Sequence, residues 1–305
     1  MKVILIHNPG AGDDEQPSGE QIVRLIRKAG HKPIYVSSKD KDWKRKLKKS
    51  CDLVAVAGGD GTVGRVARRL VESRTPLAVL PMGTANNIAN TIGVGNKKIE
   101  DLIAGWDNAR CVNFDAGIAR GPWGCRTFVE GFGLGLFAET MFGIENGRHA
   151  HVERSEDPEE QIRAVLKVLA KKLSTFPAKD LTVRLDGRDL SGDYYMVEAL
   201  NIRFIGPNLQ LVPRATINDG LLDVVLVPKA DQAKLRRYIS GRIKGKRSRA
   251  SLTVRRGRHL QVEWKGSPVH IDDKPWPEDG NSRSALWNAI DIKTDPGALV
   301  FLTPN

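Results

Sequence analysis

The sequence has few cysteines and contains no long apolar run. Its three cysteines, Cys51, Cys111 and Cys125, form an odd set without pair spacing, which argues against a disulfide framework and a thiolate metal site. Apolar stretches such as Val3–Ile6 fall far below the roughly 20 residues that a membrane-spanning helix needs. The same stretch is too short for the core of a signal peptide. We therefore expect a soluble, cytoplasmic protein.

Acidic residues are too few to balance the basic ones. The chain has 48 lysines and arginines against 36 aspartates and glutamates, which gives a formal net charge of +12. Such an excess attracts polyanions, which include nucleotides, nucleic acids and anionic membranes. Composition does not choose among these three partners. The length of 305 residues, with 40% hydrophobic residues, indicates a globular chain of two domains.

The first part of the chain alternates apolar runs with helical periodicity. The four runs are Val3–Ile6, Ile34–Val36, Leu53–Ala57 and Leu77–Leu80. Each run is continuous, as expected for parallel strands that helices cover on both faces. We therefore predict an α/β fold class, with a doubly wound, Rossmann-like parallel-sheet domain over residues 1–119.

The second part of the chain has a different pattern. Strand-like runs follow one another with turn signals between them, and one helix interrupts them at Glu159–Leu173. This pattern predicts a C-terminal β-rich sandwich domain over residues 120–305. The last apolar run, at 298–302, is one more strand. The pattern leaves open whether that strand returns to the first domain.

Three of the four N-terminal strands are followed by loops of unusual composition. These loops are His7–Gly12 (HNPGAG), Gly58–Thr62 (GGDGT) and Pro81–Asn87 (PMGTANN). Glycine lets backbone N–H groups approach a phosphate, and a loop that opens a helix directs the helix dipole at the anion. Because the carboxyl ends of parallel strands meet at one sheet edge, three such loops together predict an anion site there.

Asp60 lies between two glycines of the middle loop, where its carboxylate would repel a phosphate. Its presence is explained if it holds a metal ion or takes a proton from an attacking hydroxyl. Asp60 is therefore a candidate catalytic residue. The alternative is that Asp60 caps the helix that begins near Val63.

The motif at Gly58–Thr62, with N-P-x-A/S-G upstream and P-x-G-T-x-N downstream, resembles the diacylglycerol kinase catalytic-domain family. That family includes bacterial lipid kinases and the sphingosine and ceramide kinases. The resemblance continues at Gly131–Gly135 and at Asn218–Asp223 (NDGLLD), so it covers nearly the whole chain. NAD kinases and phosphofructokinases share G-G-D-G, but not the following segment with a β-rich second half.

The resemblance implies a kinase that uses ATP and Mg²⁺ to phosphorylate a hydroxyl of a lipid such as diacylglycerol. It implies that Asn86 and Asn87 border the phosphates and the catalytic magnesium. It also implies a structural magnesium at Asp219, assisted by the backbone carbonyls of Thr216 and Leu221. The nucleotide-binding residues that it implies are Asn8, Gly10, Gly12, Ser37, Gly58, Gly59, Asp60, Gly61, Thr62, Gly83, Thr84, Asn86 and Asn87.

Three positions depart from the family pattern, all towards fewer negative charges. Arg65 stands where a glutamate commonly follows G-G-D-G-T, and Asn87 stands where the family has aspartate. The D-G-E tripeptide, whose glutamate accepts the substrate proton, corresponds to D-D-K at residues 272–274. Asp273 is then the candidate base, and Glu278 is a further carboxylate nearby. These departures leave two alternatives open: a non-catalytic nucleotide- and lipid-binding regulator, or a kinase of a soluble hydroxylated metabolite.

Basic residues cluster without any acid between Lys234 and Arg249. Leu235, Tyr238 and Ile239 recur among them at helical spacing, which predicts a basic amphipathic helix. Such a helix is typical of proteins that dock peripherally on an anionic membrane, here its inner face, and a solvated helix is the alternative. No nucleic-acid partner is expected, since stacking aromatics and recognition motifs are missing. Whether the chain forms a homodimer stays open. The basic residues are Lys234, Arg236, Arg237, Arg242, Lys244, Lys246, Arg247 and Arg249.

Overall fold

The computed structural model describes residues 1–12, 16–71, 73–147, 157–246, 249–277 and 289–305. The chain divides into two compact units. One contains residues 1–115 and 297–305, and the other contains residues 116–296. The sequence placed a single boundary between residues 119 and 120.

The strands, numbered along the chain, are β1 (Lys2–His7), β2 (Lys32–Ser37), β3 (Leu53–Gly58), β4 (Leu77–Pro81), β5 (Arg110–Gly121), β6 (Gly124–Phe128), β7 (Gly131–Gly135), β8 (Lys179–Leu181), β9 (Val183–Leu185), β10 (Arg188–Asp189), β11 (Gly192–Leu200), β12 (Phe204–Ile205), β13 (Leu209–Gln210), β14 (Leu222–Pro228), β15 (Thr253–Gly257), β16 (His259–Glu263), β17 (Val269–Ile271), β18 (Lys274–Trp276) and β19 (Ala289–Thr303). The α-helices are α1 (Gly19–Lys28), α2 (Trp43–Lys46), α3 (Asp60–Leu70), α4 (Asn87–Thr91), α5 (Ile99–Ala104), α6 (Leu136–Glu145), α7 (Pro158–Thr175) and α8 (Gln232–Ile243). Short 3₁₀ turns cover Trp106–Asn108 and Lys229–Asp231. No helix in these described ranges is both long and apolar enough to cross a bilayer.

The first unit is a parallel sheet with helical connections, as predicted. β1 pairs with β2 and β3, β4 follows β3, and these strands run parallel. The C-terminal part of β19 extends the sheet by pairing parallel with β4, where Phe301 lies opposite Leu77. The apolar runs are continuous because both faces are covered, and every residue of β3 and β4 is buried.

Helix α1 shows how local sequence sets a boundary in this unit. Ser18 precedes the helix, and its Oγ accepts a hydrogen bond from the Gln21 N–H at 3.3 Å. The Gln21 Oε1 accepts in return from the Ser18 N–H at 2.6 Å, which completes a capping box. Ile22 and Ile26 are buried one turn apart. The start of α1 lies beside the end of β1, since a Cβ on Gly19 would be 2.8 Å from His7 Nδ1.

The second unit is an antiparallel β-sandwich, also as predicted. One sheet has the strand order β15-β14-β11-β7-β17-β18, and the other contains β10, β9, β16 and the first part of β19. Apolar residues of both sheets fill one core, and a second core lies between the first sheet and helices α6, α7 and α8. The helix predicted at Glu159–Leu173 is α7, with Asp157 as its N-cap.

Leu181–Leu185, one of the strand-like runs of the second part of the chain, contributes to two strands and not to one. β8 pairs with β11 in one sheet, whereas β9 pairs with β16 in the other. The chain therefore changes sheets at Thr182, whose hydroxyl donates to Glu263 Oε2 at 2.6 Å. A continuous apolar pattern does not reveal this change, since residues on both sides of it are buried in the same core.

Candidate functional site

The three glycine-rich loops of the first unit lie together at the carboxyl edge of its sheet. A Cβ atom on Gly59 would lie 2.9 Å from the Gly83 Cα, and one on Gly83 would collide with Gly59. The backbones of the second and third loops are therefore in direct contact, which only glycine allows. The first loop lies next to the second, since the Asn8 N–H donates to the carbonyl of Ala57, the residue before the second loop, at 2.9 Å.

Asp60 connects the second loop to the third. Its Oδ2 accepts a hydrogen bond from the Asn87 N–H at 2.8 Å, and its Oδ1 accepts from the Ile88 N–H at 2.9 Å. These N–H groups belong to the first turn of α4, where a helix has no internal acceptors for them. Asp60 thus caps α4. The alternative drawn from the sequence was a cap on the helix after Asp60, but Asp60 is itself the first residue of that helix, α3, and Gly59 is its N-cap. The catalytic role expected for Asp60 stays a prediction.

Asn86 and Asn87 lie at the end of the third loop, and their side chains have different surroundings. Asn86 has a left-handed backbone, and its amide group closes on Gly83: Oδ1 accepts from the Gly83 N–H at 2.9 Å, and Nδ2 donates to the Gly83 carbonyl. Asn87 is buried, and its carbonyl accepts from the Thr91 hydroxyl at 2.9 Å. Both asparagines shape the loop, while Thr84 at its tip is exposed.

The structure adds a cation that sequence reasoning missed. Lys39 Nζ lies 3.3 Å from the position that a Cβ on Gly10 would take, so the ammonium group covers the first loop. Asn8 Oδ1 accepts from the Gly10 N–H at 3.1 Å, and Ser37 Oγ accepts from the Lys39 N–H at 3.2 Å. The available signal was the position of Lys39 two residues after Ser37, a predicted nucleotide-binding residue at the end of β2.

Arg65, the first departure from the family pattern, lies beside the second loop. Its Nε donates to the Gly61 carbonyl at 3.3 Å, and its Nη2 lies 3.4 Å from Thr62 Oγ1. The guanidinium group therefore folds back over the first turn of α3. Together with the dipole of α3 and the Lys39 ammonium, it makes this edge of the sheet electropositive. Closely packed glycine loops with cations beside them fit the phosphate chain of a nucleotide.

A wide groove runs along the first loop. It has a volume of about 1110 Å³ and is lined by residues of that loop and by α1 with the residues just before it. Pro9 and Ala11 contribute from the first loop and Met82 from the third, while Tyr35 closes another side. The groove therefore offers space beside the phosphate loops for a larger ligand.

In the second unit, Asp272 and Asp273 form the turn between β17 and β18. The buried Asp272 has a left-handed backbone, and its Oδ1 accepts from the N–H groups of Val129 at 2.9 Å, Glu130 at 2.7 Å and Gly131 at 3.3 Å. Its carboxylate is thus committed to holding the start of β7. Asp273, the candidate base, is half-buried at the tip of the turn.

Lys274, which replaces the glutamate of the family pattern, is exposed and has a carboxylate beside it. Its Nζ lies 3.4 Å from Oε1 of Glu145, the last residue of α6. The sequence reasoning missed Glu145, because 129 residues separate the two side chains. Glu278, named as a further carboxylate, lies outside the described residues.

Comparisons with known proteins agree with this arrangement. Residues 2–117 match the family model described as the diacylglycerol kinase catalytic domain. Residues 138–303 match the model of the YegS C-terminal NAD kinase beta sandwich-like domain. The chain belongs to the diacylglycerol kinase family. It carries the YegS-type C-terminal domain, and the resemblance stated from the sequence is confirmed.

Individual members of the family show the same relationship along most of the chain. A diacylglycerol kinase of Mycobacterium tuberculosis is 27% identical over 263 residues, which cover 84% of this chain and 78% of the relative. A diacylglycerol kinase of Bacillus subtilis is 23% identical over 252 residues, covering 79% and 78%. A crystal structure of a diacylglycerol kinase from Bacillus anthracis superposes with a TM-score of 0.69 at 19% identity, covering 99% of this chain and 96% of the other. That likeness confirms the fold class.

Asp219, which the family resemblance implies as a magnesium ligand, has an arginine beside it in this chain. Asp219 Oδ1 accepts from the Leu221 N–H at 3.0 Å, and its Oδ2 is bound by Nη2 of Arg256. The Arg256 Nε also lies 3.3 Å from Oδ1 of Asp223. The described residues contain no group of three or more His, Cys, Asp or Glu that could hold a metal ion. The ligand set of Asp219, Thr216 and Leu221 stays a prediction; in the described structure the Asp219 carboxylate is engaged by the Arg256 guanidinium group.

Asp223 is one of several buried carboxylates of this chain. Its side chain is only 5% exposed. Burial raises the pKa of Asp223 to about 6, and the neighbouring Arg256 guanidinium favours its ionised form. The carboxyl group is therefore mostly ionised at neutral pH and needs a positive partner.

Glu198 and His270 form a buried pair that the sequence did not suggest. The Glu198 Oε2 and the His270 Nε2 are 2.7 Å apart, and both side chains are essentially inaccessible to solvent. Burial raises the pKa of Glu198. Burial alone would lower the pKa of His270, but the negative charge of Glu198 and the hydrogen bonds to Glu198 and Asp272 together have the larger effect, and the pKa of His270 is raised. The pair therefore retains a proton. Its His270 Nδ1 lies 3.1 Å from the Asp272 carbonyl, which connects the pair to the turn that carries Asp273.

The basic segment is a shorter helix than the sequence predicted. Helix α8 ends at Ile243, and Arg247 lies outside the described residues. Leu235, Tyr238 and Ile239 are buried in the core of the second unit, so the apolar side of the helix is not available to a membrane. The basic side lines a groove of about 520 Å³. Its cations are Lys234, Arg237, Lys244, Lys246 and Arg249.

Proposed function

We propose that this chain is a lipid kinase that uses ATP and Mg²⁺ to phosphorylate the hydroxyl group of a lipid such as diacylglycerol. The observation that carries the proposal is the contact of three glycine-rich loops at one sheet edge, with Lys39 and Arg65 beside them. Its support from the comparisons is membership in the diacylglycerol kinase family.

The loops have a defined task in this proposal. They hold the phosphate chain with backbone N–H groups and the N-terminal end of α3, and Asp60 keeps the second and third loops in register. The Lys39 ammonium neutralises part of the phosphate charge. Magnesium bound with the nucleotide, beside Asn86 and Asn87, would supply positive charge that offsets the negative charge developing during the transfer.

The transfer needs a group that accepts the proton of the lipid hydroxyl. In the reaction a bond forms between the hydroxyl oxygen and the γ-phosphorus, the bond from that phosphorus to ADP breaks, and the hydroxyl proton is left over. Asp273 is the candidate for that proton, since the Asp272 carboxylate is committed to three N–H groups. Its half-buried position on a turn held by Asp272 gives it a defined orientation.

The decisive test is the transfer of label from γ-labelled ATP to diacylglycerol, ceramide, sphingosine and a total bacterial lipid extract, with magnesium and anionic vesicles. A labelled lipid is expected. Asp273→Asn is expected to lower kcat by about 10²–10⁴-fold. The matched variant Glu145→Gln, which removes the carboxylate beside Lys274, is expected to lower it less than tenfold, because that carboxylate is engaged with the lysine.

Other outcomes of the same assay identify the alternatives. Label transferred to a water-soluble hydroxylated acceptor added to the assay, at a rate that is indifferent to anionic vesicles, would favour a kinase of a soluble metabolite. ATP binding by calorimetry with no transfer to any acceptor would favour the regulatory binder, which Lys274 in place of a base already suggests.

The proposal includes docking on an anionic membrane surface through the basic side of α8. Because the apolar side of α8 is buried in its own unit, the contact would be electrostatic, at about 1 kcal/mol for each cation near the surface. Replacing Arg237 and Lys244 together by alanine is expected to weaken binding to phosphatidylserine vesicles roughly 30-fold. The exposed pair Arg184 and Arg188, replaced in the same way, serves as the control. Equal losses in both double variants would show that only net charge matters.

A further inference from the structure

The guanidinium group of Arg256 contacts the segment between residues 216 and 223. Asp219 lies in this turn and Asp223 lies in β14 directly after it. Arg256 contacts both carboxylates, through Nη2 to Asp219 Oδ2 and through Nε to Asp223 Oδ1 at 3.3 Å. A planar guanidinium group, with several donors in a rigid fork, is suited to bridging two carboxylates in this way.

The position of Arg256 follows from strand register. In the antiparallel pairing of β14 with β15, Arg256 lies directly opposite Asp223. Opposite charges at facing positions of two strands attract one another across the ladder. Asp219 joins the pair because its Oδ1 is fixed by the Leu221 N–H, which leaves Oδ2 directed at the guanidinium. Backbone geometry therefore holds all three groups together.

A magnesium ion at Asp219 would compete with this arrangement. The ion requires near-octahedral oxygen ligands at about 2.0–2.1 Å, and Asp219 Oδ2 would have to release Arg256 to become one of them. Because like charges repel, the Arg256 guanidinium, which is 46% exposed, would have to turn into solvent away from the divalent cation. It would also leave the nearly buried Asp223 without its cation.

We propose that Arg256 replaces the structural magnesium of the second unit, so that an internal guanidinium ion locks the 216–223 turn to β15. The second unit then needs no divalent metal to fold. The requirement for magnesium in catalysis is a separate matter, since that ion arrives with the nucleotide. The proposal is accordingly tested without nucleotide and without measuring kinase activity.

The first experiment measures thermal unfolding and Mn²⁺ binding of the nucleotide-free full chain. The Tm is expected to be the same in EDTA and in millimolar magnesium, and electron paramagnetic resonance is expected to detect no Mn²⁺ bound through Asp219. A Tm gain of several degrees in magnesium, or a bound Mn²⁺, that disappears in Asp219→Asn would overturn the proposal.

The second experiment is a double-variant cycle in EDTA. Arg256→Gln and Asp219→Asn are each expected to lower the Tm by roughly 2–4 °C. Combined, they should lower it by little more than one change alone, because each removes the same interaction. Arg255→Gln, on the same strand and also exposed, is the matched control and should leave the Tm within about 1 °C. Full additivity of the two changes, or an equal effect of the control, would show that Arg256 does not lock the turn.

Discussion

The strongest prediction concerns Asp60, whose carboxylate connects two phosphate loops. Asp60→Ala removes both hydrogen bonds to the N–H groups of Asn87 and Ile88. Loss of an N-cap costs about 0.5–2 kcal/mol, and hydrogen bonds to a charged group contribute about 1.5–3 kcal/mol each. Because Asp60 is half-buried and water can partly replace it, we expect a loss of about 2 kcal/mol, confined to α4 and the loop before it.

Hydrogen exchange measures this loss where it occurs. A change of about 2 kcal/mol corresponds to an exchange rate roughly 30-fold faster for the amides of α4. Peptides that cover Pro81–Thr91 should show it by mass spectrometry, while peptides of α1, which has its own capping box, should not change. Asp101→Asn, an exposed acid in the first turn of α5, is the matched control.

The same variants separate a positioning role of Asp60 from a chemical one. Asp60→Asn keeps one side-chain oxygen, so we expect a smaller loss of protection in α4 than with alanine, together with weaker ATP binding. Unchanged protection in both variants would refute the role that the contacts assign to Asp60. A loss of transfer rate alone, with protection and ATP affinity intact, would instead assign Asp60 to the chemical step.

Three further predictions follow from single side chains. Lys39→Ala is expected to raise the KM for ATP about tenfold in the kinase assay, whereas Lys41→Ala, which removes an equally exposed cation, should not change it. Glu198→Gln breaks a buried pair with His270 and should cost about 3–5 kcal/mol in urea unfolding; a neutral effect would show that the pair contributes no net stability. Since burial raises the pKa of Asp223 to about 6, the folded chain binds more protons than the unfolded chain between about pH 4 and 6. Its contribution to stability therefore falls as the pH rises through that window, and Asp223→Asn should flatten the curve measured by urea unfolding there.

Much of the fold could be predicted because its signals are local. The four apolar runs became β1 to β4, the Ser18 capping box formed, and the helix at Glu159–Leu173 appeared with one residue more at its start and two more at its end. Periodicity and caps act within one or two turns of chain, so they can be read without knowing the fold. The strand that breaks at Thr182 could not be predicted, because the choice between two sheets depends on partners far along the chain.

The candidate site, like the fold, could be predicted from the sequence only in part. The sequence by itself determined which loops carry glycine, where the charged residues stand and which family the motifs indicate. Only the tertiary structure decided what each charged group contacts: Asp60 reaches a helix 27 residues away, and Arg256 reaches an aspartate 37 residues away. The physical reason is that a carboxylate accepts hydrogen bonds from whichever donors the fold places within about 3 Å, and sequence spacing does not report that distance.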